Sequence, residues 1–339
     1  MMPGKSLILG LETSCDDTAA AVVLNGRSVL SNVVSSQDSF HRRFGGVVPE
    51  IASRRHLEII GPVIDEALGK AGVNFADLDG IAASHGPGLV GSLLVGVSTA
   101  KALAFSLDLP LAAVNHLEGH IYANFLTGAT ISFPVLCLVV SGGHTSLLYM
   151  EGHGSIELLG ITRDDAAGEV FDKVARTLQL GFPGGPLIDR LAQQGEAGSF
   201  YFPRALMSEE GGLDFSFSGV KTAVLNCVLR EKEAGKPIKN ADIAAAFQDA
   251  VVDVLVEKSF LAARKRKTRH FLLAGGVAAN TELRRRLRRK MQEEGVEVIC
   301  PPVELCTDNA AMIASAGYFY LRQGRTASWD LNAVPDLRF

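Results

Sequence analysis

Three things are missing from this 339-residue chain. There is no paired-cysteine framework: Cys15, Cys137, Cys227, Cys300 and Cys306 are odd in number and none stands in a Cys-x-x-Cys pair, as fits reduced thiols. There is no apolar run approaching the roughly 20 residues that cross a bilayer. The opening apolar stretch Leu7-Ile-Leu9 is cut short by Glu12-Thr-Ser-Cys-Asp-Asp17, unlike a secretory leader. There is also no excess of positive charge. The formal net charge is −4, so the molecule as a whole does not attract nucleic acid, and any polyanion site must be a local patch. A cytoplasmic protein with no membrane attachment is the expectation.

What the chain does have is 47% hydrophobic residues, 35 glycines and 21% charged residues. That composition belongs to a globular α/β protein, and the length suits two lobes. A repeated unit runs through it, in which an apolar strand ends in a tight polar turn. Ser6–Leu11 leads into Glu12–Thr18 and a second strand, Ala19–Leu24. Asn25-Gly26 turns the chain into a third strand, Ser28–Val34. Pro134–Val140, Ser141-Gly-Gly-His-Thr145 and Ser146–Met150 repeat this order, which suggests an internal duplication. Phe271-Leu-Leu-Ala-Gly-Gly-Val-Ala-Ala-Asn280 is a third strand that enters a glycine turn. Turns of this kind can point backbone N–H groups at a phosphate, although a plain polar hairpin reads the same way.

Between these units the pattern predicts an irregular loop over 40–49 and an amphipathic helix from Glu50, bent near Gly61-Pro62 and ended by Gly72. A short strand at Leu78–Ala83 should run into Ser84-His-Gly-Pro-Gly88. The nearly charge-free helix Leu93–Leu107 is expected to be core. Later come helices around Asp164–Lys173 and Asp189, a strand at Leu213–Gly219, and helices over Val220–Glu233 and Ala241–Lys265. A further helix, capped by Asn280 or Thr281, should bury Leu283, Leu287 and Met291 and turn Arg284, Arg285, Arg286, Arg288, Arg289 and Lys290 outward. That basic run and Arg264–Arg269 are either solvated faces or a phosphate-binding patch. The tail after Gly324 carries no pattern.

His116 and His120 stand four residues apart, so on a helix both imidazoles share a face, as one metal ion would require. Two ordinary histidines fit the same spacing. Asp308, at the start of a predicted helix, either favours the helix dipole or supplies a hard oxygen ligand. Glu118 falls two positions after His116, about 200° around the helix by its 3.6-residue period. A His-Glu-x-x-His protease places its glutamate directly after the first histidine, so a metalloendopeptidase is disfavoured.

Taken together, Glu12–Thr18, Gly45-Gly-Val-Val-Pro-Glu50, Gly86-Pro-Gly-Leu89, His116–His120, Ser141–Thr145, Phe182-Pro-Gly-Gly-Pro186, Gly275–Asn280 and Thr307-Asp-Asn309 resemble the bacterial TsaD family. These are tRNA adenosine threonylcarbamoyltransferases, formerly called O-sialoglycoprotein endopeptidases. The duplicated hairpins also suggest, by analogy, the two-lobed actin-like ATPase fold of actin, sugar kinases and Hsp70, each lobe a mixed sheet flanked by helices. The expected division is 1–130 plus 300–339 for one lobe and 131–299 for the other, with nucleotide and metal in the cleft between them.

The resemblance implies transfer of threonylcarbamoyl from threonylcarbamoyl-AMP to N6 of the adenosine beside the anticodon, position 37, in tRNAs that read codons beginning with A. It implies one divalent metal ion per subunit, usually iron(II), with zinc or magnesium as alternatives, on His116, His120 and Asp308. It places substrate and adenine-nucleotide contacts at Val139, Val140, Ser141, Gly142, Gly143, Asp172, Gly185, Asp189 and Asn280. The partners implied are tRNA, the inactive paralogue TsaB, docking through the Glu50–Gly72 segment, and the small ATPase TsaE. Archaeal relatives carry Asn at the position of His144 and a metal-binding Tyr at that of Val139. The general base is open between Glu12 and Asp16, and an ATPase or kinase of the same fold is the rival reading.

Overall fold

The computed structural model describes residues 4–41, 46–208, 212–235 and 239–339. Residues 42–45 of the expected loop lie outside that set. The chain divides into two compact units, Met1–Ile131 with Pro301–Phe339, and Ser132–Cys300.

In the first unit, β1 (Leu7–Glu12), β2 (Asp17–Leu24), β3 (Ser28–Ser36), β4 (Gly80–Gly86) and β5 (Leu111–Asn115) form a sheet of order β3-β2-β1-β4-β5. β1 pairs antiparallel with β2 and parallel with β4, and β4 runs parallel to β5. The central strands read as near-continuous apolar runs because both faces of the sheet are covered. The helices of this unit are α1 (Asp38–His41), α2 (Pro49–Ala71), α3 (Val90–Leu107) and α4 (His116–Tyr122). α2 runs unbroken through Pro62 and ends at Gly72 in the left-handed conformation (φ 69°).

α3 differs from the expected core helix. Leu93, Val97, Ala100 and Ala104 are buried, but Val90, Leu94 and Phe105 are exposed. With a mean hydropathy of 1.6 over 18 residues it is, among the described residues, the one helix long and apolar enough to cross a membrane. It packs by one face on β4 and α2.

The second unit repeats the plan. β6 (Val135–Val140), β7 (Thr145–Gly152), β8 (Ser155–Ile161), β9 (His270–Ala274) and β10 (Glu297–Ile299) have the order β10-β9-β6-β7-β8, with the same antiparallel and parallel pairings from the central strand outward. Its helices are α5 (Ala167–Thr177), α6 (Gly184–Ala192), α7 (Ser218–Glu233), α8 (Asn240–Arg266) and α9 (Thr281–Gln292). The two sheets share one strand order, which agrees with the duplication suggested by the hairpins.

Leu213–Gly219 is not a strand. Only Phe215 bridges, to Thr162, and Asp164 accepts from Phe217 N (2.8 Å) and Ser218 N (3.2 Å), so the segment becomes the entry to α7. The basic face of α9 is also less solvated than expected. Leu283, Leu287 and Met291 are buried, but Arg286 turns back to pair with Asp249, Asp253 (2.6 Å) and Glu282 (2.5 Å). Arg204 closes the ring on the same two aspartates.

The last helix, α10 (Ala310–Arg322), returns to the first unit and packs on β1 and β4. Its N-cap is Asn309, whose Oδ1 accepts from Met312 N at 3.0 Å. Asp308 therefore stands one residue before the cap and does not open the helix, which leaves its carboxylate unused for capping.

Candidate functional site

Asn115 ends β5 and caps α4, its Oδ1 accepting from Leu117 N at 2.9 Å. The next residue, His116, is thus held at the first turn, with His120 one turn further on the same face. α4 rests on α10 at Gly119, where an added Cβ would stand 2.7 Å from Ile313 Cδ1. This close approach brings the histidines to Asp308, which directly precedes α10. His116 Nε2 lies 3.6 Å and His120 Nε2 3.4 Å from Asp308 Oδ1. One ligand atom from each of the three residues lies within 4.8 Å of the others.

Glu12, fully buried at the end of β1, takes a role that sequence reasoning missed. Its Oε2 accepts from His116 Nδ1 at 2.9 Å, and its Oε1 accepts from Ser14 N (2.5 Å) and Ser84 Oγ (3.1 Å). A carboxylate on Nδ1 assigns that nitrogen the proton in the neutral ring, so that Nε2, facing Asp308, is the nitrogen that gives up its proton to a metal. Burial disfavours an imidazolium at His116, but the Glu12 and Asp308 carboxylates outweigh it and raise its pKa to about 9. Burial would likewise raise the Asp308 carboxyl, but His116 and His120 hold it at about 2.

The donor set fits a divalent cation. Two donors about 2.1 Å from one ion at a tetrahedral angle stand roughly 3.4 Å apart, close to the two histidine–aspartate spacings. Both ring nitrogens of His120 are buried without a hydrogen-bond partner. Such unsatisfied groups cost about 1–3 kcal/mol each, and a ligand on Nε2 would account for one of them. Glu118 points elsewhere, accepting from Tyr320 Oη. A protease base directed at the metal face is therefore excluded by contact as well as by helix period.

In the second unit the expected substrate residues form one linked ring. Ser141 N donates to His144 O (2.8 Å), closing the turn after β6, and Gly142 and Gly143 face open space. α5 packs on this turn at Gly168, where a Cβ would stand 2.4 Å from Ser141 O. Asp172 on α5 accepts from Gly184 N at 2.7 Å, which fixes the start of α6, where Gly185 is open. Burial raises the Asp172 carboxyl above its ordinary pKa despite this bond. Asp189 on α6 accepts from Thr281 Oγ1 (2.9 Å) and Thr281 N (3.1 Å) at the start of α9. Gly275, at φ 89°, brings the third turn against Val140 O and completes the ring.

Asn280 is occupied within the protein: Nδ2 donates to Gln248 Oε1 (2.8 Å) and Oδ1 accepts from Leu283 N (2.9 Å). Val139 and Val140 are wholly buried in the central strand β6, between β7 and β9, so neither presents an open surface to a ligand. Asp16 sits half-buried on the loop between β1 and β2. The side chains expected to touch substrate thus mostly hold glycine turns in place, and the turns themselves present the open surface.

Duplicated five-stranded sheets of this order, each flanked by helices, define the actin, sugar-kinase and Hsp70 class of α/β proteins. Solved structures agree. T. kodakarensis HypF matches with a TM-score of 0.63 at 17% identity, over 97% of this chain and 50% of that one. The activator of the 2-hydroxyisocaproyl-CoA dehydratase from Clostridium difficile, solved with bound ADPNP, matches with a TM-score of 0.53 at 16% identity, over 94% of this chain and 97% of that one. Identities this low show the fold alone. The profile of TsaD, tRNA N6-adenosine threonylcarbamoyltransferase, matches residues 28–315. The protein of that name from Symbiobacterium thermophilum is 59% identical over 333 residues, 98% of this chain and 97% of its own length. The chain belongs to the TsaD family.

Proposed function

We infer that this protein transfers the threonylcarbamoyl group of threonylcarbamoyl-AMP to N6 of adenosine 37 in tRNAs that read codons beginning with A, releasing AMP. The observation that carries the reading is the convergence of His116, His120 and Asp308 in a chain that matches the family over most of its length. The donor is a mixed anhydride, so activation is built into it. The amine attacks the carbamoyl carbonyl carbon, the bond from that carbon to the phosphate oxygen breaks, AMP leaves with the electron pair, and the nitrogen sheds one proton. What remains for the protein is to place the two reactants, steady the developing oxyanion and hold the phosphate.

His116, His120 and Asp308 would hold the metal, with iron(II) the proposed ion and zinc or magnesium the alternatives. When bound, it would supply Lewis-acid polarisation of a phosphate or carbamoyl oxygen. Glu12 keeps His116 in the orientation that directs Nε2 towards Asp308 and the candidate metal position. The open turn after β6 offers the backbone N–H groups of Gly142 and Gly143 to the phosphate or carbamoyl end. Gly185 and Gly276 offer open backbone to the adenylate, with Asp172, Asp189, Gly275 and Asn280 holding these turns in register. Both Glu12 oxygens are engaged in the interior, so Asp16 is the better candidate for removing the amine proton.

The partners proposed are tRNA, TsaB and TsaE. For TsaB the support is that α2 and α3 pack together and that each exposes large apolar side chains, Leu57 (67% exposed) on α2 and Val90 and Leu94 on α3. A contiguous apolar surface on two packed helices is the kind of face a protein partner covers.

Nucleoside analysis tests the reading. Protein, threonylcarbamoyl-AMP, partners and unmodified tRNA should yield threonylcarbamoyladenosine, and a tRNA with guanosine at position 37 should yield none. Modification of both tRNAs, or of neither, would contradict it.

A further inference from the structure

After α10 the chain does not leave the first unit. Ala327 N donates to Leu111 O at 2.8 Å, and Leu331 O accepts from Lys101 Nζ at 3.0 Å. Trp329 meets Phe105 of α3 edge to face, 5.5 Å between ring centres. Val334 N then donates to His85 O (2.7 Å) and Pro335 O accepts from Gly88 N (3.1 Å), so the tail lies along the glycine turn that follows β4. Gly86 is where the two meet. A Cβ there would stand 2.0 Å from Val334 O, so only glycine admits the tail. Gly86 pairs in the sheet with Asn115.

Asn115 is the last point the tail reaches. Its Nδ2 donates to Arg338 O at 3.1 Å, while its Oδ1 caps α4. One side chain thus joins the tail to the helix that presents His116 and His120. A cap held at one end only can rotate about its χ angles, whereas a cap held at both ends cannot. Val334 and Arg338 are themselves exposed, so hydrogen bonds hold the tail here more than burial does.

We propose that Val334–Arg338 is a positioning strap for the candidate metal site, acting through Asn115 to fix the first turn of α4. Asn115 and Arg338 are positioning residues and need touch neither metal nor substrate. The proposal rests on the reading of His116, His120 and Asp308 as metal ligands.

The test is a double-mutant cycle in the full-length protein, with cobalt(II) as the probe, read by its visible absorption in competition with a chelator. One change is a stop after Val334. The other is Asn115→Ser, which keeps a hydroxyl able to cap α4, loses the Nδ2 donor and adds no charge. Each change alone should weaken cobalt binding about ten-fold, the lower end of what losing an outer-shell partner costs. Both together should weaken it no further, because they break the same link. Lys101→Met, which loosens the strap only at its far end, should lower the melting temperature and leave cobalt affinity unchanged. Single variants that bind cobalt like the unaltered protein, or losses that multiply in the double variant, would overturn the strap. Failure of the unaltered protein to bind cobalt would overturn the metal reading itself, and the strap with it.

Discussion

Glu12 Oε2 and His116 Nδ1 stand 2.9 Å apart in the interior, one at the end of the first strand and the other at the first turn of α4. The pair joins the Glu12–Thr18 motif to the His116–His120 motif and gives Glu12 an orienting role. Glu12→Gln should therefore raise the metal concentration needed for half-activity by about ten-fold. Transfer at saturating metal should stay within a few-fold of the unaltered protein. A variant that binds metal normally yet is inactive at saturation would restore Glu12 as the base.

The exposed faces of α2 and α3 give a separate prediction. Leu57→Glu places a charge on the proposed docking face and should abolish co-elution with TsaB, since a buried unpaired charge costs several kcal/mol. Metal content of the isolated chain should not change. Undiminished co-elution would move the docking surface elsewhere on the molecule.

Acid stability can be predicted from α9. The Arg285 guanidinium, then Arg286, holds the Glu282 carboxyl at about 2, although burial opposes them. Its folded pKa lies below its unfolded value, so the stability it contributes is fully present above about pH 4.5 and is lost as pH falls towards 2. After discounting for solvent screening, about 1–2 kcal/mol is at stake. Glu282→Gln should flatten the stability curve in that window, measured by urea denaturation. A variant with an unchanged slope between pH 4.5 and 2 would contradict this.

Features that depend on local pattern were legible in the chain. The apolar strands, their glycine turns, the Gly72 stop, the Asn280 cap and the buried stripe Leu283, Leu287 and Met291 all follow from periodicity and turn chemistry. The two sheets follow from the repeat of strand, polar turn and strand. Features that depend on distant partners were not legible. Arg286 reads as solvent-facing until Asp249 and Asp253, more than thirty residues away, are brought beneath it. Phe215 and Phe217 alternate like a strand, but Asp164 captures the backbone that a strand would need. Asp308 looks like a helix opener because its neighbour Asn309 caps equally well. The tail after Gly324 has no periodicity because backbone hydrogen bonds, which any sequence can make, hold it. At α3 the near absence of charge suggested core, yet only one face of the helix packs on β4 and α2, and Val90, Leu94 and Phe105 stay exposed.

The most direct test leaves ATP out. Threonylcarbamoyl-AMP labelled in its threonine is mixed with the protein, its partners and unmodified tRNA, and label is followed into tRNA in a single turnover. The account predicts label in tRNA without ATP, one AMP released per label transferred, and loss of both transfer and bound metal in Asp308→Ala. No label reaching tRNA, from folded and metal-loaded protein with every partner present, would contradict it and return the chain to the ATPase reading of its fold.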